Sequence, residues 1–96
     1  MKPSAALALK RAAVRAAASR FRAANPRVFG STLHGTDNEG SDLDLLVDAL
    51  PGATMFDLGG LHAELEYLLG VRVDLSPPAD LPLKIRVKVL AEAQAV

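Results

Sequence analysis

The chain has 96 residues, of which 11 are Lys or Arg and 11 are Asp or Glu, so its formal net charge is zero, and it contains no cysteine. A chain of this length buries one modest hydrophobic core, and we expect a single domain over residues 1–96. The lack of cysteine excludes disulfide frameworks, thiolate metal sites and a cysteine nucleophile.

The charges are unevenly distributed along the chain. Residues 1–27 carry seven Lys or Arg and no acid, whereas residues 37–80 carry ten acids and one cation, Arg72. The early cations interrupt any apolar run long enough for a signal-peptide core or a membrane span, so we expect a soluble, cytoplasmic protein. The same segment has one aromatic residue, Phe21, which its spacing assigns to the core; without a stacking platform, direct nucleic-acid binding is not expected.

Hydrophobic periodicity predicts helices and strands in a mixed order. In chain order they are a helix over residues 4–24, a strand over 27–30, a strand over 42–50, a helix over 54–69, a strand over 71–76 and a last helix from residue 83. This order predicts a small α/β (α+β) fold in which helices cover a short mixed sheet.

Local signals set the ends of the predicted helices. Ser4 is a candidate N-cap of the first helix, Thr54 with Asp57 resembles a capping box, and Gly70 ends the second helix. We expect Asp80 to cap the last helix. Its apolar face is predicted from the helical spacing of four residues, Leu83, Val87, Leu90 and Ala91.

The strand over residues 42–50 carries carboxylates on one face. Alternate residues of a strand share a face, so Asp42 and Asp44 point the same way, opposite an apolar face, and Asp48 is expected to face solvent at the strand end. The strand over 71–76 offers a third acid, Asp74. Three converging carboxylates raise one another's pKa values unless a cation lies between them, and Mg²⁺ prefers such oxygen ligands.

Gly30 and Ser31 supply a complementary anion site before the acidic strand. Glycine lets the backbone approach a phosphate closely, and the serine hydroxyl with adjacent N–H groups can donate hydrogen bonds to phosphate oxygens. A short helix opening at residues 31–36 would strengthen that attraction. The pattern predicts a triphosphate held by the turn beside a metal held by the acids.

Each of these residues also has a simpler structural interpretation. Asp42 and Asp44 would protect a solvated edge strand by their charge, Asp74 would pair with Arg72 or Arg86, Gly30 would serve only the turn and Ser31 only a helix cap. Three other polar residues are expected to be structural, with His34 in a polar loop, His62 in a surface pair with Glu66, and Tyr67 in packing.

The motif resembles a known family. Gly-Ser at residues 30–31, a gap of ten residues and Asp-Leu-Asp at 42–44 resemble the signature of the DNA polymerase β-like nucleotidyltransferase superfamily, and especially its minimal (MNT) members. Residues 61–93 are similar to the rest of such a domain, with a helix, a glycine, the third acid on a strand and a closing helix. The resemblance covers nearly the whole chain.

The resemblance implies a function and a role for each site residue. Asp42, Asp44 and Asp74 would bind two Mg²⁺ ions, Asp74 would also activate the acceptor hydroxyl, and Gly30 and Ser31 would bind nucleoside triphosphate, here ATP. Minimal members usually act as antitoxins beside a HEPN-domain toxin, and some transfer AMP to a tyrosine of that partner. The resemblance therefore implies an adenylyltransferase antitoxin that assembles with such a toxin.

Thr32 and His34 depart from the family pattern, because many relatives carry arginines at these positions. Arginine gives a permanent, forked phosphate contact, whereas threonine is uncharged and histidine is mostly neutral at pH 7. Two other functions therefore stay open. One is a binding-only antitoxin that neutralises its partner sterically, and the other is a nucleotidyltransferase acting on a small molecule or an RNA end.

Overall fold

The computed structural model describes residues 1–96 and contains four helices and four strands joined by short turns. In chain order they are α1 (Pro3–Arg20), β1 (Ala23–Phe29), α2 (Gly30–His34), β2 (Leu43–Ala49), α3 (Met55–Leu69), β3 (Val73–Ser76), a 3₁₀ turn (Pro78–Asp80), α4 (Leu83–Glu92) and β4 (Gln94–Ala95). The predicted mixed α/β class is confirmed. None of the helices combines the length and the apolar character needed to cross a bilayer.

The strands form one mixed sheet in the order β3-β2-β1-β4. β1 runs antiparallel to both β2 and β4, and β2 runs parallel to β3. α1 and α3 pack against each other and against the sheet. β2 therefore lies inside the sheet with a partner on each side, so the interpretation of Asp42 and Asp44 as edge-strand protection is wrong.

The apolar face of β2 forms the centre of the core. Leu43, Leu45 and Val47 are fully buried in a cluster with residues of α1 and α3, as the period-2 pattern predicts. Burying each such side chain stabilises the fold by about 1.5 to 3 kcal/mol. Leu46 is also fully buried, although its position in the alternation places it on the polar face.

The N-terminus of α1 is capped from a distant part of the chain. The N-cap residue is Lys2, and Ser4 provides no side-chain cap, so that prediction is wrong. Instead the Asp37 carboxylate accepts a hydrogen bond of 2.8 Å from the Ser4 backbone N–H, and this bond is the main reason that the pKa of Asp37 lies below its usual value. Asp37 thus fixes the loop before β2 to the start of α1.

The first helix ends earlier than its alanine content suggests. α1 stops at Arg20, and residues 23–26 belong to β1. Arg22 and Asn25 adopt left-handed backbone conformations with φ of 58° and 53°, and the β1–β2 register shifts between Ala24 and Arg27. This bulge accommodates Pro26, which has no N–H to donate to a sheet ladder.

The two later helices begin in different ways. At α3 the predicted capping box is present, since Thr54 and Asp57 each bond the other's backbone N–H, and Gly70 ends this helix with φ of 66°. At α4 the N-cap residue is Pro82, with no side-chain cap, so the expected cap from Asp80 is wrong. α4 has no buried residue, and its predicted apolar face is therefore exposed.

Two adjacent glycines of α3 have opposite surroundings. A Cβ at Gly59 would meet no atom within 4 Å, whereas a Cβ at Gly60 would lie 2.6 Å from Cε1 of Phe21. Phe21 packs against the core, as predicted, so Gly60 makes room for its ring.

We predict that Gly59→Ala and Gly60→Ala change stability in opposite directions. Gly59→Ala removes the helix penalty of glycine and should raise the free energy of unfolding by about 1 kcal/mol. Gly60→Ala should lower it by about 1 to 3 kcal/mol, because the gain in helix propensity is smaller than the cost of displacing the ring. Urea unfolding of the dilute proteins measures both values. Equal stabilisation by the two substitutions would contradict the packing of Phe21 on Gly60.

Candidate active site

Asp44 and Asp74 lie side by side on neighbouring strands. The parallel β2–β3 register pairs Asp44 with Asp74, one position after the pair Leu43 and Val73. Neighbouring strands are about 4.8 Å apart, and residues directly opposite each other point to the same face of the sheet. The chain thus brings together two acids that are 30 positions apart in the sequence.

The electrostatic environment of Asp44 is unfavourable for a lone carboxylate. Burial, followed by the neighbouring charges of Asp74 and Asp42, raises its pKa to about 6. Asp74, in contrast, is exposed. Asp44 therefore senses the charges of both other predicted acids and is the most buried of the three.

Asp42 lies just before β2 and is held by a cation. Its Oδ1 atom is 3.1 Å from Nε of Arg72. Arg72 thus pairs with Asp42 and not with Asp74, and the guanidinium of Arg86 donates to the backbone carbonyls of residues 79 and 81, so neither predicted arginine partner of Asp74 is present. No three His, Cys, Asp or Glu side chains are grouped as a ready metal cage.

Gly30 forms the wall of the site beside Asp44. It follows β1, whose last residue, Phe29, pairs with Asp44 in the sheet. Gly30 has φ of +73°, and a Cβ at this position would overlap Oδ2 of Asp44. Both the backbone conformation and the close approach therefore require glycine.

Ser31 lies in the first turn of α2, which spans Gly30–His34 and is shorter than the segment of residues 31–36 considered from the sequence. The N-cap residue of α2 is Phe29, so the interpretation of Ser31 as a helix cap is wrong. The Ser31 carbonyl accepts a hydrogen bond of 3.0 Å from the Thr36 backbone N–H. Ser31 thus directly follows the glycine that packs against Asp44.

The two positions that lack arginine have different neighbours. The hydroxyl of Thr32 is buried without a hydrogen-bond partner. His34 lies on α2 and not in a loop, and its Nε2 atom is 3.2 Å from Oε2 of Glu92. His34 therefore joins α2 to the end of α4.

His62 and Glu66 form the predicted surface pair, with 3.6 Å between Nε2 and Oε2. They also hold the backbone of Val73. Glu66 accepts a hydrogen bond of 2.9 Å from the Val73 N–H, and Nε2 of His62 lies 2.7 Å from the Val73 carbonyl oxygen. These contacts fix β3 one residue before Asp74. The i, i+4 spacing on α3 predicted the pair, but nothing in the sequence linked it to β3.

Two predictions about other polar residues are wrong. Asp48 is not simply solvated, because it accepts a hydrogen bond of 2.9 Å from Asn25 and lies 3.1 Å from Arg27. These contacts, with Asn25 the larger cause, lower the pKa of Asp48. Tyr67 does not pack in the core, because it is 85% exposed.

The raised pKa of Asp44 gives the fold a pH dependence of defined sign. The folded state binds the proton of the Asp44 carboxyl more tightly than the unfolded chain does. The contribution of this proton to the free energy of unfolding is therefore fully present below about pH 4 and is lost as the pH rises through about 6. We predict that Asp44→Asn raises the free energy of unfolding by about 1 kcal/mol at pH 8, after a discount for solvent screening, and by much less at pH 4. Urea unfolding without divalent cations measures this.

Asp48→Asn is the matched control on the same strand. The pKa of Asp48 is lowered in the folded state, so its contribution is present above the unfolded pKa and is lost as the pH falls. Asp48→Asn should therefore lower stability at pH 8. A loss of stability from both substitutions at pH 8 would contradict the charge repulsion assigned to Asp44.

Similar proteins share a family description. The profile of the nucleotidyltransferase domain family matches residues 11–96. Protein adenylyltransferase MntA of Thermococcus cleftensis is 40% identical over 73 residues, which cover 76% of this chain and 74% of that protein. A candidate protein adenylyltransferase of Methanocaldococcus jannaschii is 35% identical over 66 residues, which cover 69% of this chain and 71% of that protein.

Solved structures share the fold. A candidate minimal nucleotidyltransferase superposes with a TM-score of 0.88 at 42% identity, covering 100% of this chain and 97% of that one. A toxin–antitoxin crystal structure with AMP-PNP superposes with a TM-score of 0.69 at 21% identity, covering 83% of this chain and 66% of that one, which is a likeness of fold alone. The predicted family is thus confirmed, and the chain belongs to the nucleotidyltransferase domain family.

Proposed function

We propose that this chain transfers AMP from ATP to a hydroxyl group of a partner protein, a tyrosine of a HEPN-domain toxin, and thereby acts as its antitoxin. The observation that carries the proposal is the register that pairs Asp44 with Asp74 directly beside Gly30. A cytoplasmic location is part of the proposal, because ATP is its substrate.

The similar proteins support this choice of reaction. Both curated relatives are named for protein adenylyltransferase activity, and they are similar over most of this chain. The toxin–antitoxin structure with AMP-PNP shows that the same fold occurs in an assembly with a toxin and an ATP analogue. The nucleotide and the toxin partner are carried over from these proteins as proposals.

The residues present fit a divalent cation. Asp44 is half-buried, and its pKa is raised by burial and by two neighbouring carboxylates, so a cation there would relieve a repulsion that the fold otherwise bears. Carboxylate oxygens are ligands that Mg²⁺ prefers, and we propose that Asp42, Asp44 and Asp74 hold two such ions. Bound Mg²⁺ would supply charge neutralisation at the phosphates.

The chain's own residues have separate tasks in the proposed transfer. Gly30 and Ser31 bind the triphosphate through backbone N–H groups and the serine hydroxyl. Asp74 accepts the proton of the acceptor hydroxyl, whose oxygen forms a bond to the α-phosphorus. The bond between the α-phosphorus and the bridging oxygen to the β-phosphorus breaks, and pyrophosphate leaves with that electron pair.

The exposure of the site favours an acceptor on another protein. Asp74 is exposed, and Asp42 is exposed beside Arg72. α1 and α3 pack with the apolar face of β2, so they do not cover Asp42 or Asp74, and both can meet an incoming side chain. For Asp42 to bind a cation, it has to release Arg72, which then becomes available to a phosphate group.

A binding-only antitoxin is the second candidate, and the contacts of His34 favour it. The imidazole lies against Glu92, and Thr32 offers no charge, so this turn lacks the fixed cations that hold a triphosphate in many relatives. Under this alternative the chain blocks its partner sterically, with little or no transfer.

Labelled ATP distinguishes the two candidates. Incubation of the chain and its toxin with Mg²⁺ and α-labelled ATP should label the toxin, whereas γ-labelled ATP should not, because pyrophosphate leaves. Asp42→Asn/Asp44→Asn should reduce labelling by at least about 100-fold, since it removes the charges that hold the metal. Asp48→Asn is the matched control, because Asp48 lies on β2 with Asp44 but contacts Asn25 and Arg27. This variant should label the toxin as the wild type does.

Toxin neutralisation is measured in parallel with labelling. Neutralisation that needs Asp42 and Asp44 and is accompanied by label supports transfer. Neutralisation that survives the double substitution without any label supports steric blocking and contradicts the proposed reaction.

A further inference from the structure

Two helices expose large apolar side chains that the proposed reaction does not use. On α3, Phe56 is 92% exposed and Tyr67 is 85% exposed; on α4, Leu83 is 76% exposed and Val87 is 78% exposed. Single exposed apolar residues are common on protein surfaces. These residues instead recur at helical spacing, which indicates a contact surface on each helix.

The first surface, called here the α3 stripe, consists of Phe56, Gly59, Ala63 and Tyr67. All four are exposed, and at about 100° per residue they lie on one side of α3. The large rings lie at the two ends, about 16 Å apart along the axis, with small residues between them. This shape is a shallow valley that allows another helix to approach closely.

Acidic residues border the α3 stripe on both sides. Helical spacing places Glu66 on one side and Glu64 on the other, and α3 contains no Lys or Arg. Glu64 has only a long contact of 3.8 Å with the exposed Arg20, so its carboxylate is available to another cation.

The second surface, called here the α4 stripe, consists of Leu83, Val87 and Leu90. The three residues follow the i, i+4, i+7 spacing of one helix face and are exposed, in a helix without any buried residue. Lys84 and Lys88 border the stripe on one side. This helix carries three Lys or Arg and one Glu, so its charge is opposite to that of α3.

We propose that the two stripes are the two halves of one interface between copies of this chain. The α4 stripe of one copy lies in the α3 stripe of the other, with Val87 over the valley formed by Gly59 and Ala63. Lys84 and Lys88 face the glutamates beside that valley. Around a two-fold axis the same contact forms twice, which makes a closed dimer.

The charge pattern selects a second copy as the occupant. An apolar stripe bordered by acids needs a partner stripe bordered by cations, and α4 of this chain supplies both features. None of the candidate catalytic residues lies in either stripe, so the interface does not depend on the proposed reaction.

A charge swap tests the pairing. The variants are Glu64→Lys on α3, at a partly exposed position, and Lys84→Glu/Lys88→Glu on α4, at exposed positions. Circular dichroism checks that each one folds. Sedimentation equilibrium of the wild-type chain should show a concentration-dependent dimer. Each variant alone brings like charges together in both contacts, so we expect its dimer to be at least about tenfold weaker.

Mixing the two variants in equal amounts distinguishes this pairing from a general charge effect. In the mixed dimer both contacts again join opposite charges, so its stability should return to within about threefold of the wild type. Lys10→Glu/Arg11→Glu on α1 is the matched control, since it makes the same charge change away from both stripes, and its dimer should keep the wild-type stability.

Three results would overturn the proposal. The first is a wild-type chain that stays monomeric up to about 100 μM, which would assign the stripes to contact with a different protein. The second is charge variants that dimerise as strongly as the wild type, and the third is a mixture of the two variants whose dimer is no more stable than that of either variant alone.

Discussion

The parallel pairing of β2 with β3 is the constraint on which the candidate site depends. It puts Asp44 beside Asp74, and burial together with the charges of Asp74 and Asp42 raises the pKa of Asp44 to about 6. Two sets of contacts maintain the register. Leu43 and Val73 pair with each other and are buried in the core below, and the side chains of His62 and Glu66 hold the backbone of Val73 from α3.

The spacing between the Gly-Ser and Asp-Leu-Asp motifs has a structural reason. β1 and β2 are antiparallel neighbours, and the last residue of β1, Phe29, pairs with Asp44. The connection must therefore leave β1 through Gly30 and return to the same end of β2. Within it, α2 and the bond from Asp37 to the Ser4 backbone N–H fill the gap of ten residues. The hairpin closes with Gly30 against Asp44, where any side chain would overlap the carboxylate.

Much of the fold and of the candidate site could be predicted from local patterns. Alternation identified the buried residues Leu43, Leu45 and Val47 of β2, and the pair Thr54 and Asp57 identified the start of α3. The family motif identified Gly30 and Asp44, which meet in the structure. The first two features succeed because each is determined by neighbours within a few positions, where side-chain period and capping chemistry are specific.

The features that sequence reasoning missed depend on distant contacts. Alanines at residues 23–24 favour a helix, but sheet pairing places them in β1. The cap from Asp37 and the contacts of Asp48 join residues that are more than 20 positions apart. Helical periodicity also predicted the apolar stripe on α4 correctly. Periodicity does not say what covers that stripe, and no other part of the chain buries it.

We propose that Asp42, Asp44 and Asp74 form one cation site beside a glycine that leaves room for phosphate. Anomalous diffraction from crystals grown with Mn²⁺ and a non-hydrolysable ATP analogue is the decisive test. We predict a peak within about 2 to 2.3 Å of carboxylate oxygens of both Asp44 and Asp74, with Asp42 turned away from Arg72 and the triphosphate against Gly30 and Ser31. Manganese bound only to the triphosphate, with Asp42 still paired to Arg72 and no ion on Asp44, would contradict it.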